Sequence, residues 1–61
     1  MKHSELKKGM KVFDCWYPEW GTGKVDKVTA TRVYVNFPYP KGFMTYDKSH
    51  TQFLVKGKSF V

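Results

Sequence analysis

Few side chains in this sequence could carry covalent or metal chemistry. The chain has one cysteine, Cys15, and two histidines, His3 and His50. That set cannot make a closed four-ligand zinc site or an internal disulfide. Cys15 has no histidine or other base at a spacing that would activate it. It reads as a half-buried strand residue and not as a nucleophile. His3 falls in a polar terminus expected to be loose, and His50 in a turn after Asp47, as a hydrogen-bonded surface residue. Gly21-Thr22-Gly23-Lys24 has the flavour of a phosphate-binding loop but lacks its length and its following helix. No catalytic residue, metal or cofactor is expected, and the chain is read as a non-enzyme.

What the sequence does hold is rings and cations. Trp, Tyr and Phe make up 18% of 61 residues, and eleven Lys and Arg against five Asp and Glu leave a net charge of +6. Rings beside cations can stack on unpaired bases while the cations hold phosphates. They can also line a groove for an extended or Pro-rich peptide. The aromatic candidates are Trp16, Tyr17, Trp20, Tyr34, Tyr39 and Tyr46, and the basic candidates are Lys24, Lys27, Arg32 and Lys41. A core this small cannot bury every ring, and an exposed cluster of rings marks a contact surface. Against this stand two plainer readings: Trp16 and Trp20 as plugs of the two ends of the fold, and the charges as a solvated face.

The elements that must position these residues are short. Met10 to Trp16 is the first strand, Thr22 to Val28 the second, and Phe43 to Tyr46 the fourth. Gln52 to Val55 is the fifth. Arg32 to Phe37 alternates most cleanly, with Val33, Val35 and Phe37 on one face and Arg32, Tyr34 and Asn36 on the other. Val25 and Val28 are three apart, so a β-bulge must lie between them if both face inward. That places Val25 opposite Val35 and Val28 opposite Val33, with Thr29 to Arg32 as the turn. Val12, Val25, Val33, Val35, Phe37 and Leu54 form the expected core. Tyr17 to Gly21 and Pro38 to Gly42 are loops, and Asp47 to His50 is a turn of 3₁₀ type. At least one of Gly21 and Gly23 is expected to have a backbone conformation or packing distance that a Cβ would obstruct.

Five short strands in one small domain mean an all-β fold. The expected architecture is a five-stranded, SH3-like (Tudor-like) barrel, because closure removes exposed edges. Residues 1–8 read as a lead-in, 9–55 as the barrel and 56–61 as a tail. No apolar run approaches the roughly 20 residues of a membrane span. The start has no export signal, and an unpaired cysteine fits a reducing compartment, so a cytoplasmic location is expected.

The segments Gly9-x-x-Val12, Pro18-Glu19-Trp20-Gly21-x-Gly23-x-Val25-x-x-Val28, Val33-x-Val35-x-Phe37 and Phe53-Leu54 carry a resemblance. Together they look like a small bacterial Tudor/SH3-like domain. One such domain lies at the C-terminus of superfamily 1 DNA repair helicases. Another group is short stand-alone bacterial proteins with a Pro-Glu-Trp-Gly-x-Gly segment. The resemblance covers roughly residues 9–55. It implies binding and not catalysis, with RNA polymerase or another protein of transcription or DNA repair as partner, and nucleic acid as the alternative. Eukaryotic Tudor relatives also imply an aromatic cage for methylated Lys or Arg, with Asp14 or Asp47 as its carboxylate. This chain departs from the bacterial relatives at Phe43-Met44-Thr45-Tyr46 and at the Pro-rich loop Pro38-Tyr39-Pro40-Lys41. The protein reading is preferred, because the proline loops concentrate rigid apolar surface while the cations are dispersed. A structural subunit of a phage particle or other assembly is the third reading. The sequence names no partner and no oligomeric state.

Overall fold

A computed structural model describes residues 1–59. Five strands form one antiparallel sheet: β1 Lys11–Asp14, β2 Gly23–Val28, β3 Arg32–Phe37, β4 Gly42–Asp47 and β5 Leu54–Lys56. Their spatial order is β4-β3-β2-β1-β5. Among the described residues three 3₁₀ segments join the strands: His3–Glu5, Pro18–Trp20 and Lys48–Phe53, the last kinked at His50. The fold is all-β and barrel-like.

The β2–β3 hairpin sets the frame. Val25 pairs with Val35 and Val28 with Val33, and the register shifts between Val25 and Lys27. The extra residue of the bulge lets two valines spaced by three share one face, as their spacing requires. Thr29 N–H donates to Arg32 O at 2.8 Å, and Arg32 N–H donates to Thr29 Oγ1 at 3.0 Å, closing the turn without glycine. Val12, Val25, Val33, Val35, Phe37 and Leu54 are all buried, joined by Leu6 and Tyr46. Trp20, Met1, Met10, Val28 and Met44 pack around this cluster.

Gly23 lies in β2 against that core. A Cβ built on it would stand 2.7 Å from Val35 Cγ1 and 2.8 Å from Phe37 Cδ1. Gly21, two residues earlier, has φ +84° and ψ −171° and caps the Pro18–Trp20 turn. One glycine is needed for space, the other for backbone conformation.

Several expectations are corrected here. The sheet is not closed: β4 and β5 are its two edges, and the Lys48–Phe53 segment connects them. With six residues wound as 3₁₀ turns between them, the two strands do not run as a hairpin. Within residues 1–8, Leu6 is buried in the core and Met1 packs on it. His3 is anchored, its Nε2 donating to Thr29 O at 2.6 Å. The first strand stops at Asp14 and not Trp16. Asp14 Oδ1 accepts the Trp16 N–H at 2.9 Å and Asp14 O accepts the Tyr17 N–H at 3.1 Å, a local turn that competes with the ladder. Cys15, expected half-buried in that strand, is therefore exposed beyond its end. The fifth strand is shifted to Leu54–Lys56, because Gln52 and Phe53 belong to the preceding 3₁₀ segment.

Candidate functional site

The Asp14 turn swings the chain out of the sheet, and Pro18 starts a tight 3₁₀ turn with its fixed φ. Together they present Trp16 and Tyr17 to solvent, at 68% and 47% exposure. Tyr17 stacks on Trp20 with ring centroids 4.5 Å apart and planes 11° apart. Trp20 in turn meets the core ring Phe37 edge-on at 5.4 Å. On the other side Trp16 meets Phe53 edge-to-face at 5.7 Å. Tyr17 is thus braced by a ring that reaches the core, and Trp16 by the half-buried Phe53. Lys41 Nζ lies 4.1 Å over the Trp20 ring, a cation–π contact. Tyr39, 97% exposed, stands in the neighbouring 38–41 turn, where a cis peptide joins it to Pro40. Trp16, Tyr17 and Phe53 wall a cleft with Asp14 at its floor. A second hollow, lined by Glu19, Trp20, Tyr39, Pro40 and Lys41, lies on the far side of Trp20.

The floor of this end is a buried polar pair. Tyr46 O–H donates to Asp14 Oδ2 at 2.7 Å, and both residues are almost fully buried. Burial, then the hydrogen bond to the Asp14 carboxylate, push the Tyr46 phenol far above the usual tyrosine range. With Oδ1 on Trp16 N–H and Oδ2 on Tyr46, the Asp14 carboxylate anchors the turn that carries Trp16. Tyr46, expected on the binding surface, is instead a core residue. It stands opposite Val33, and directly paired residues share a face.

The other candidates gather elsewhere. Lys24, Lys27, Arg32 and Tyr34 all lie on the outward face of β2 and β3. Lys27 pairs with Tyr34 across the hairpin, its Nζ 6.0 Å from the ring centroid. Arg32 stands opposite Asp47 of β4, and their side chains form an exposed ion pair at 3.6 Å. Asp47 thus pairs with Arg32 at the surface, while both Asp14 oxygens are already hydrogen-bonded, to the Trp16 N–H and to Tyr46. Trp16, Tyr17, Trp20, Tyr39 and Lys41 form the aromatic end; the sheet-face group is separate from it. Sequence reasoning missed Phe53 as a wall of the cleft. No local pattern signals it, because Phe53 ends the 3₁₀ segment and is not part of an alternating strand.

The chemical side chains stay dispersed. His50 is exposed and shares a hydrogen bond through Nδ1 with Ser49 Oγ at 3.1 Å. Among the described residues no group of three His, Cys, Asp or Glu is placed to hold a metal ion. None of the described helices is long and apolar enough to cross a membrane.

The sequence model of a family described as Protein of unknown function (DUF3553) matches residues 6–42, more than half of the chain. The match spans β1 to β3, the Pro18–Trp20 turn and the 38–41 turn. No curated protein and no solved structure matches the chain.

Proposed function

The chain belongs to the family Protein of unknown function (DUF3553), and we propose that it is a non-catalytic binding module whose aromatic end seats a segment of a protein partner. The observation that carries this reading is Trp16. It stands 68% exposed beside Tyr17 and Phe53, over a cleft whose floor is already hydrogen-bonded. A small domain short of core material gains stability by burying such a ring, so its exposure beside a braced partner is a mark of use. Tryptophan and tyrosine are the residues that dominate protein interfaces, because they bring large area with few rotatable bonds. Lys41 and the net charge of +6 add attraction for an acidic partner, acting mainly on the rate of encounter.

The partner class comes from the resemblance to the bacterial Tudor/SH3-like domains of DNA repair helicases. It points to a protein of transcription or repair, RNA polymerase being the first to test. Immobilised domain is exposed to purified bacterial core RNA polymerase and binding is followed by interferometry. Trp16→Ala is expected to weaken binding by about 30-fold, the scale of a 2 kcal/mol hot spot. Its melting temperature is expected to stay close to that of the parent. No binding of polymerase, together with capture of the same proteins from nuclease-treated lysate by parent and Trp16→Ala domains, overturns the reading.

A further inference from the structure

Across the outer face of the sheet runs one row of paired residues. Lys11 of β1 stands opposite Lys24 of β2, Lys24 opposite Asn36 of β3, and Asn36 opposite Phe43 of β4. At strand spacings of about 4.8 Å the row is roughly 15 Å long. At its basic end a third lysine arrives from the tail. Gly57 N–H continues the ladder to Lys11 O at 2.9 Å, and Ser59 N–H donates to Thr22 Oγ1 at 2.8 Å. These bonds bring Lys58 to the same groove as Lys11 and Lys24, beside Thr22 and Asn36. No carboxylate of the described residues lines that groove, and none of the three lysines has an ion-pair partner among them. At the other end Phe43 is 64% exposed, and Tyr34 lies half-buried on the same face.

Like charges placed directly opposite in a sheet oppose folding. Here Lys11 and Lys24 do so with a third cation alongside. An anion in the groove removes that repulsion, and the neighbouring rings say which anion. We propose that this row binds single-stranded nucleic acid, with Lys11, Lys24 and Lys58 on the phosphates and Phe43 stacked on a base. The amide of Asn36, between them, can both donate to and accept from a base edge. Exposed rings stack only on bases that are unpaired, and the open face of a five-stranded sheet is too broad for a duplex groove that admits a helix or a two-stranded ribbon. The site is separate from the aromatic end and does not depend on the protein-binding reading.

The test is fluorescence anisotropy at low salt with labelled oligothymidylate of about 16 nucleotides, against a hairpin duplex. The single strand is expected to bind the full chain, with a log–log salt slope of about −2 for three lysines. Lys24→Ala is expected to reduce that slope by about 0.7, while the charge-matched Lys48→Ala, outside the row, leaves it unchanged. Phe43→Ala is expected to weaken binding by about 5- to 100-fold without altering the slope. All three positions are exposed, so circular dichroism of each variant should match the parent. No single-strand binding at about 50 micromolar protein overturns the proposal, as that is within ordinary nonspecific affinity. Equal affinity for the duplex, equal effects of Lys24→Ala and Lys48→Ala, or a silent Phe43→Ala also overturn it. Loss of polymerase binding in Trp16→Ala bears on the other site alone.

Discussion

Replacing Gly23 by alanine should destabilise this domain far beyond its nominal methyl group. The added Cβ would lie 2.7 Å from Val35 Cγ1 and 2.8 and 2.9 Å from two atoms of the Phe37 ring. Carbon atoms in contact prefer about 3.5–4.0 Å, so three contacts are short by more than half an ångström each. Val35 and Phe37 are both buried on β3 as members of the close-packed core. Overpacking of this kind costs about 1–3 kcal/mol. A chain of this length has only about 3–5 kcal/mol of stability. At about 4–8 °C per kcal/mol, melting should fall by roughly 5 to 20 °C. Thermal unfolding followed by circular dichroism measures it. Because Phe37 also touches Trp20 edge-on, near-ultraviolet dichroism of the folded variant should change as well. A second substitution localises the cause: Phe37→Leu shrinks the obstructing ring, so the double variant should be less unstable than the sum of the two singles. Melting within about 2 °C of the parent, or a strictly additive double variant, refutes the packing argument.

Gly21→Ala should be destabilising for a different reason. Its φ of +84° with ψ −171° is strained for any residue with a side chain, at a cost of about 1–3 kcal/mol, and the near-ultraviolet signal of the Tyr17–Trp20 stack should weaken before global unfolding. Tyr46→Phe should cost about 1.5–3 kcal/mol in urea unfolding, since the buried Asp14 carboxylate loses a charged hydrogen bond. The same pair sets an alkaline limit. The folded phenol titrates above its unfolded value, so its contribution is complete below about pH 10 and is lost as pH rises further, when the unfolded chain releases that proton. The stability difference between parent and Tyr46→Phe should therefore shrink above about pH 10, by up to about 1.4 kcal/mol per pH unit; a difference constant with pH would contradict it.

The middle of the fold was legible because its pattern is local. Val33, Val35 and Phe37 alternate without ambiguity, and the three-residue spacing of Val25 and Val28 then requires the bulge that the register shows. The two glycines and the surplus of rings were equally readable, since no arrangement of so short a chain covers them all. Strand β4 was not legible in this way. Phe43, Met44 and Tyr46 put apolar groups on both faces, so the pattern leaves the phase of the strand open; pairing with β3 decides it, sending Tyr46 inward opposite Val33 and Phe43 outward opposite Asn36. The binding surfaces depend on still longer-range contacts. The aromatic end joins residues 16–20, 39–41 and 53, and the lysine groove joins residues 11, 24 and 58. Composition and spacing determined that this chain is all-β, basic and too rich in rings to hide them. Which rings and which cations meet was decided by tertiary structure, because a side chain's neighbours across a sheet are set by register and by the hydrogen bonds that pin the chain ends, and neither is written in the local sequence.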